Sequence, residues 1–97
     1  MKSLEEIIMI LREHKKELAR KFGVKELGVF GSYARGEATP ESDLDLLVEF
    51  TELPGLFRFL ELERYLSELL GARVELVSRQ ALKPHIGRQI LQEAIAI

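Results

Sequence analysis

Two aspartates, Asp43 and Asp45, stand two positions apart in the segment SDLDLLVEF. In an extended strand that spacing sends both side chains to one face. Carboxylates a few ångströms apart repel each other unless a cation lies between them. Mg²⁺ suits such a pair, because it takes oxygen ligands and commonly combines one or two carboxylates with substrate phosphates. On its own, Asp-x-Asp is more simply read as an acidic strand face in water. Upstream stands Gly31-Ser32, separated from Asp43 by ten residues. A glycine directly after a strand lets the backbone turn sharply and approach a ligand closely. Ser32 offers a hydroxyl and an amide, and a following helix would aim its first amides at an anion. Alone, this dipeptide is an ordinary strand-to-helix turn with Ser32 as N-cap.

Together the two signals read GSYARGEATPESDLDLLVEF, and this pattern resembles the minimal nucleotidyltransferase family, a compact branch of the DNA polymerase β-like nucleotidyltransferase superfamily. Ala34, Arg35, Gly36, Ser42 and Leu46 also fall where the family's extended motif has them. The resemblance implies Mg²⁺-dependent transfer of a nucleoside monophosphate from a nucleoside triphosphate, by default ATP, to a hydroxyl, with release of pyrophosphate. Asp43 and Asp45 would hold one or two Mg²⁺ ions. Gly31, Ser32, Arg35 and Ser42 would form the nucleotide-binding side. The family's third carboxylate, most often Asp, matches Glu75, which would help bind the metal or accept the acceptor's proton. Glutamate adds a methylene, so its oxygens reach farther and with more rotamer freedom. Family members commonly pair with a HEPN-type toxin, whose tyrosine they modify with AMP as its antitoxin. Two alternatives stand beside this: an antitoxin that neutralises by contact alone, and an enzyme that nucleotidylates a small hydroxylated molecule.

The elements that must position these residues follow from periodicity. Ser3 and Glu6 have capping-box spacing, and Leu4, Ile7, Ile8, Leu11 and Leu18 recur at helical intervals, so a helix is predicted over 4–21 with Gly23 as its stop. Val24–Phe30 is a β-prone run. Residues 33–36 begin a short helix and 36–41 form a loop. Leu44, Leu46, Val48 and Phe50 alternate with Asp43, Asp45, Leu47 and Glu49, the mark of a strand with one buried face. Pro54 suits the first turn of a third helix ending at Gly71. Residues 73–77 form a third strand, with Glu75 sharing a face with Arg73 and Val77. Pro84 opens a last helix with Ile86, Ile90, Ala94 and Ile97 on one stripe. The order α-β-α-β-α-β-α describes an α/β fold, a small mixed three-stranded sheet flanked by helices. Its first two strands are antiparallel, because the connection between them is short for a parallel crossover.

Composition bounds the rest. A chain of 97 residues is expected to be one domain spanning 1–97, and 46% hydrophobic with 31% charged residues is a globular balance. Without cysteine, neither disulfides nor thiolate metal sites are available. Charges interrupt the N-terminal apolar residues, so neither a signal peptide nor a membrane span is expected, and the location is expected to be cytoplasmic. A net charge of −2 argues against general nucleic-acid binding. His14 and His85 are isolated and expected at the surface or a helix end. The helix over 56–70 carries more apolar residues than one face can bury, so its surplus is a candidate partner surface.

Overall fold

The computed structural model describes residues 1–97. Helix α1 spans Leu4–Phe22 and opens with a complete capping box, in which the Ser3 hydroxyl accepts from the Glu6 amide and the Glu6 carboxylate accepts from the Ser3 amide. Gly23 closes it in the left-handed conformation. Strand β1, Val24–Phe30, leads directly into a one-turn helix α2, Gly31–Arg35. Strand β2 is Leu44–Phe50, helix α3 Leu56–Leu70 and strand β3 Val74–Ser78. A short 3₁₀ turn at Arg79–Ala81 precedes helix α4, Pro84–Glu93, and a two-residue strand β4, Ile95–Ala96.

The sheet is mixed, as expected, but four-stranded and not three-stranded, in the order β3-β2-β1-β4. β1 and β2 are antiparallel, while β2 and β3 are parallel. The fourth strand comes from residues that periodicity assigns to the last helix. The outer edge of β1 carries backbone groups that need partners. Ile95 pairs antiparallel with Val29 and Ala96 with Gly28, and the Ile97 amide donates to the Leu27 carbonyl at 2.9 Å. Closing that edge ends α4 at Glu93, and Ala94 adopts an extended conformation. Two smaller boundaries also differ. α2 begins at Gly31, because Gly31 itself makes the turn. α3 begins at Leu56, because Pro54 and an extended Gly55 form its lead-in.

One sheet face is the core. Leu27 and Val29 of β1, Leu44, Leu46 and Val48 of β2, and Val74 and Leu76 of β3 pack against Ile7, Leu11 and Leu18 of α1 and Leu62, Leu66 and Leu70 of α3. The other face carries Phe30, Asp45 and Glu75 in one row, with Leu91 of α4 beside the residues of the next row. The N-terminal part of α3 lies outside the core: Leu56 and Phe57 are 68% and 87% exposed, the surplus apolar surface that the sequence indicates. His14 bonds the Ile10 carbonyl within α1, and no helix is long and apolar enough to cross a membrane.

The exposed edge of β3 is closed by side chains of α3. The Val74 amide donates to the Ser67 hydroxyl at 3.1 Å and the Leu76 amide to the Glu63 carboxylate at 2.9 Å. Gln80 does the same at the end of β2, its amide donating to the Phe50 carbonyl at 2.8 Å. These contacts fix β3, and with it Glu75. Ser67→Ala and Glu63→Ala are each expected to cost about 1–2 kcal/mol, the cost of an unpaired part-buried amide. Urea unfolding measures this, and Glu63→Gln, which keeps an acceptor oxygen, should cost less.

Candidate active site

The site is built by register. Phe30 is opposite Asp45 across the antiparallel pair, and Asp45 is in turn beside Glu75 across the parallel pair. The next residue after Phe30 is Gly31, so folding the hairpin brings Gly31 against Asp45. The approach is closer than any side chain permits: a Cβ on Gly31 would stand 2.0 Å from Asp45 Oδ2, and Gly31 has φ +73°. The glycine of the Gly-Ser pair is therefore required twice, by its left-handed backbone and by the carboxylate lying over it. The ten-residue spacing to Asp43 is the length of chain that α2 and the following loop use before returning antiparallel.

Asp43 precedes β2 and Arg73 precedes β3 at matching positions of the parallel pair. They form an ion pair at 3.6 Å, with Arg73 largely in water. Such an exposed pair contributes little to stability. Asp45 is more confined. Partial burial raises its carboxyl pKa above the usual aspartate range, and the neighbouring charges of Glu75 and Asp43 raise it further, with Arg35 opposing. A carboxylate that is desolvated and faced by two others marks a place where positive charge is missing.

The residues expected on the phosphate side separate into two groups. The Ser32 hydroxyl sits in the first turn of α2, half-buried, without a hydrogen bond to any protein group. Ser42 is instead engaged: its hydroxyl accepts from the Thr39 amide at 2.9 Å and its amide donates to the Thr39 carbonyl, which closes the turn before Asp43. Arg35 is also engaged, donating to Glu37 at 2.8 Å and to Glu93 at the end of α4. It thereby ties α2 to α4, a tie that sequence spacing could not disclose because the partners lie 58 residues apart. Arg73 likewise gained no role from the sequence; the signal was its place two residues before Glu75.

No three histidine, cysteine or acidic side chains converge as a closed metal cluster. Asp43, Asp45 and Glu75 are brought to one end of the adjacent strands β2 and β3 but do not enclose an ion among themselves. The donor set nonetheless fits Mg²⁺, which keeps most of its coordination for water and substrate phosphates and asks the protein for one or two carboxylates. The geometry makes the fit: Asp45 stands beside Glu75 in register with Asp43 two residues before it, and a bound cation would relieve the repulsion among them.

Comparison with known proteins identifies the family and the fold. A family model described as a nucleotidyltransferase domain matches residues 11–97. The protein adenylyltransferase MntA of Thermococcus cleftensis is 55% identical over 97 residues, covering 100% of this chain and 98% of that protein. A solved structure described provisionally as a minimal nucleotidyltransferase superposes with a TM-score of 0.83 at 43% identity, covering 99% of this chain and 97% of the other. At 22% and 20% identity, the same fold recurs in a toxin–antitoxin complex with AMP-PNP and in a tri-AMPylated Shewanella oneidensis HEPN toxin bound to its MNT antitoxin. Their TM-scores are 0.72 and 0.63; the match covers 96% of this chain in both, and 70% and 66% of the other chains.

Two outcomes follow from the crowding at Asp45. Because folding raises its pKa, the native state binds that proton more tightly than the unfolded chain does. Stability contributed at this residue therefore falls as pH rises through the interval between the two pKa values, and the deficit persists at neutral pH. Asp45→Asn should melt higher than the parent chain at pH 7 in metal-free buffer, with the difference shrinking on acidification below the usual aspartate range. Added Mg²⁺ should raise the melting temperature of the parent and not of the variant. Gly31→Ala should cost about 2 kcal/mol or more, since it combines a positive φ with a direct clash; thermal melts measure both variants.

Proposed function

The chain belongs to the nucleotidyltransferase domain family, and we propose that it transfers AMP from ATP to a tyrosine hydroxyl of a HEPN-type toxin, acting as the toxin's antitoxin. The observation that carries the chemistry is the row Phe30–Asp45–Glu75 with Gly31 pressed against Asp45. It sets an uncommitted serine hydroxyl, a bare backbone and two adjacent carboxylates at one end of the strands. Support for adenylyl transfer to a protein comes from the end-to-end similarity to a protein adenylyltransferase. Support for a HEPN partner comes from the solved complex in which an AMPylated toxin of that kind sits with its MNT antitoxin.

In this reading Gly31 and Ser32 receive the outer phosphates of ATP. The Ser32 hydroxyl is free to donate, and the first-turn amides of α2 have no intrahelical acceptors. Asp43 and Asp45 would hold Mg²⁺, which when bound neutralises the triphosphate and aligns the α-phosphate. Glu75, beside Asp45 in register, would take the proton of the attacking hydroxyl. The new bond joins the tyrosine oxygen to the α-phosphorus. The bond that breaks joins the α-phosphorus to the oxygen bridging to the β-phosphate, and pyrophosphate leaves with that electron pair. Such a reaction demands alignment and charge neutralisation more than covalent help from the protein. Arg35 would have to release Glu93 or Glu37 to reach phosphate, so its contribution is to hold α2 and α4 in place.

A second reading, neutralisation by contact alone, rests on Glu75, which stands where the family most often has aspartate and whose longer side chain carries its oxygens farther. The two separate on labelling with α-³²P-ATP and Mg²⁺, with and without a co-expressed HEPN-type protein. Transfer of label to that protein, reduced at least about a hundredfold in Asp43→Asn/Asp45→Asn, is the expected result. No label, with full neutralisation retained by the double variant, would leave contact alone.

A further inference from the structure

Helix α3 has two sides of opposite use. Leu62, Leu66 and Leu70 are fully buried and belong to the core. On the opposite side, at helical spacing i, i+3 and i+7, stand Phe57, Leu60 and Arg64, all exposed. Leu53 and Leu56, just before them in the chain, are exposed as well, and none of these four apolar residues is part of the core cluster. A single exposed leucine is ordinary. Four large apolar side chains within residues 53–60 form a patch on the order of 400 Å², a size that marks an interaction surface. Arg64 is also uncommitted. It meets Glu68 at 3.3 Å, but the two side chains are 82% and 69% exposed, and so wet a pair contributes little.

From this spacing we infer that the outward side of α3 is a two-fold interface between two copies of this chain, the helices antiparallel and crossing at Leu60. Leu60 lies midway between Phe57 and Arg64 on the stripe. A two-fold axis there sets Leu60 against Leu60, and Phe57 of each copy against Arg64 of the other. The face of a phenyl ring attracts a guanidinium, which stacks on it as a flat cation. One stripe thus supplies both halves of each contact, as an isologous interface requires. Charge selects the same register. An axis at Glu61 or at Arg64 would oppose like charges. An axis at Phe57 would carry Arg64 past the start of the other helix at Leu56. The area suffices: a standard interface takes about 800 Å² from each side, of which the apolar patch supplies roughly half and Glu61, Arg64 and Glu68 the polar rim. The surface also lies away from the candidate site. Asp45 and Phe50 stand about 16 Å apart along β2 at strand spacing, and α3 starts beyond Phe50. A second copy on α3 leaves Gly31, Asp45 and Glu75 open, and the inference rests on no part of the transfer reading.

Sedimentation equilibrium of the whole chain tests this. The mass should rise with concentration from the 11.1 kDa of one chain to twice that value and no further, because a two-fold interface closes on itself. Phe57→Arg puts cations on both sides of the contact, and Arg64→Glu sets a carboxylate against the phenyl face. Each should weaken association at least about tenfold. Both substitutions fall at exposed positions, and circular dichroism should show each variant folded as the parent is. The double variant Phe57→Arg/Arg64→Glu pairs opposite charges across the axis and should associate at least about fivefold more tightly than Phe57→Arg alone. A chain that keeps the mass of a single copy at every concentration would overturn the inference. So would association that Phe57→Arg leaves unchanged, which places the interface elsewhere, and a double variant no tighter than the single ones, which removes the axis at Leu60. If the parent stays single and Phe57→Arg instead abolishes copurification with a HEPN-type protein, the patch belongs to that protein and the second copy is excluded.

Discussion

The contact on which the rest depends is that between the Gly31 backbone and the Asp45 carboxylate. It is made possible by a missing Cβ and made unfavourable by charge. Asp45 is partly desolvated and faces Glu75 and Asp43, with Arg35 the counterweight. No folding requirement explains such an arrangement, since an asparagine or serine at this position would satisfy the sheet equally. The fold tolerates the repulsion because the hairpin and the parallel strand over-determine the register. Leu46 and Val48, fully buried on the opposite face, cannot slip by one residue without turning the acidic face into the core. Burial on one face thus holds charges together on the other.

That division of labour extends through the whole sheet. The core face is closed by α1 and α3, and α3 also satisfies the outer amides of β3 through Ser67 and Glu63. This leaves β3 both immobile and unavailable for pairing with another strand. The opposite edge is sealed by only two residues of β4, and the helix that leads into it has Gly87 as its sole buried residue. The side that carries the candidate site is thereby the less heavily packed side, where few apolar contacts would have to be broken to admit a ligand.

Much of this was legible in the sequence, and the reasons differ by element. α1 announces itself through Ser3, Glu6 and Gly23, all local signals that the structure uses as local chemistry predicts. The alternation within each strand was legible, because it is a short-range rule; that Glu75 stands beside Asp45 was implied only by the family resemblance, since register between β2 and β3 is not local. The fourth strand was not legible: Ala94-Ile95-Ala96-Ile97 carries the same apolar stripe whether it continues a helix or pairs with β1, and only the unpaired edge at Gly28 and Val29 decides. Arg35 shows the same limit for a side chain. Its position after Gly31-Ser32 suggests phosphate, yet Glu93 lies nearby for reasons that reside in the path of α4.

Gly28 shows how far a single residue can be read once the pairing is known. In sequence it is a glycine interrupting a β-prone run, which costs the strand stability through lost packing and a freer unfolded chain. In the sheet it lies opposite Leu47 on one side and Ala96 on the other, so β4 approaches where a side chain would crowd the Ile95 carbonyl. The same absence deepens the sheet face one row below the carboxylates. A larger residue there would push β4 outward, shift the end of α4 and strain the Arg35–Glu93 tie to α2. The glycine that weakens the strand therefore couples three things: closure of the sheet edge, the position of the helix above it, and the shape of the surface beside Asp45.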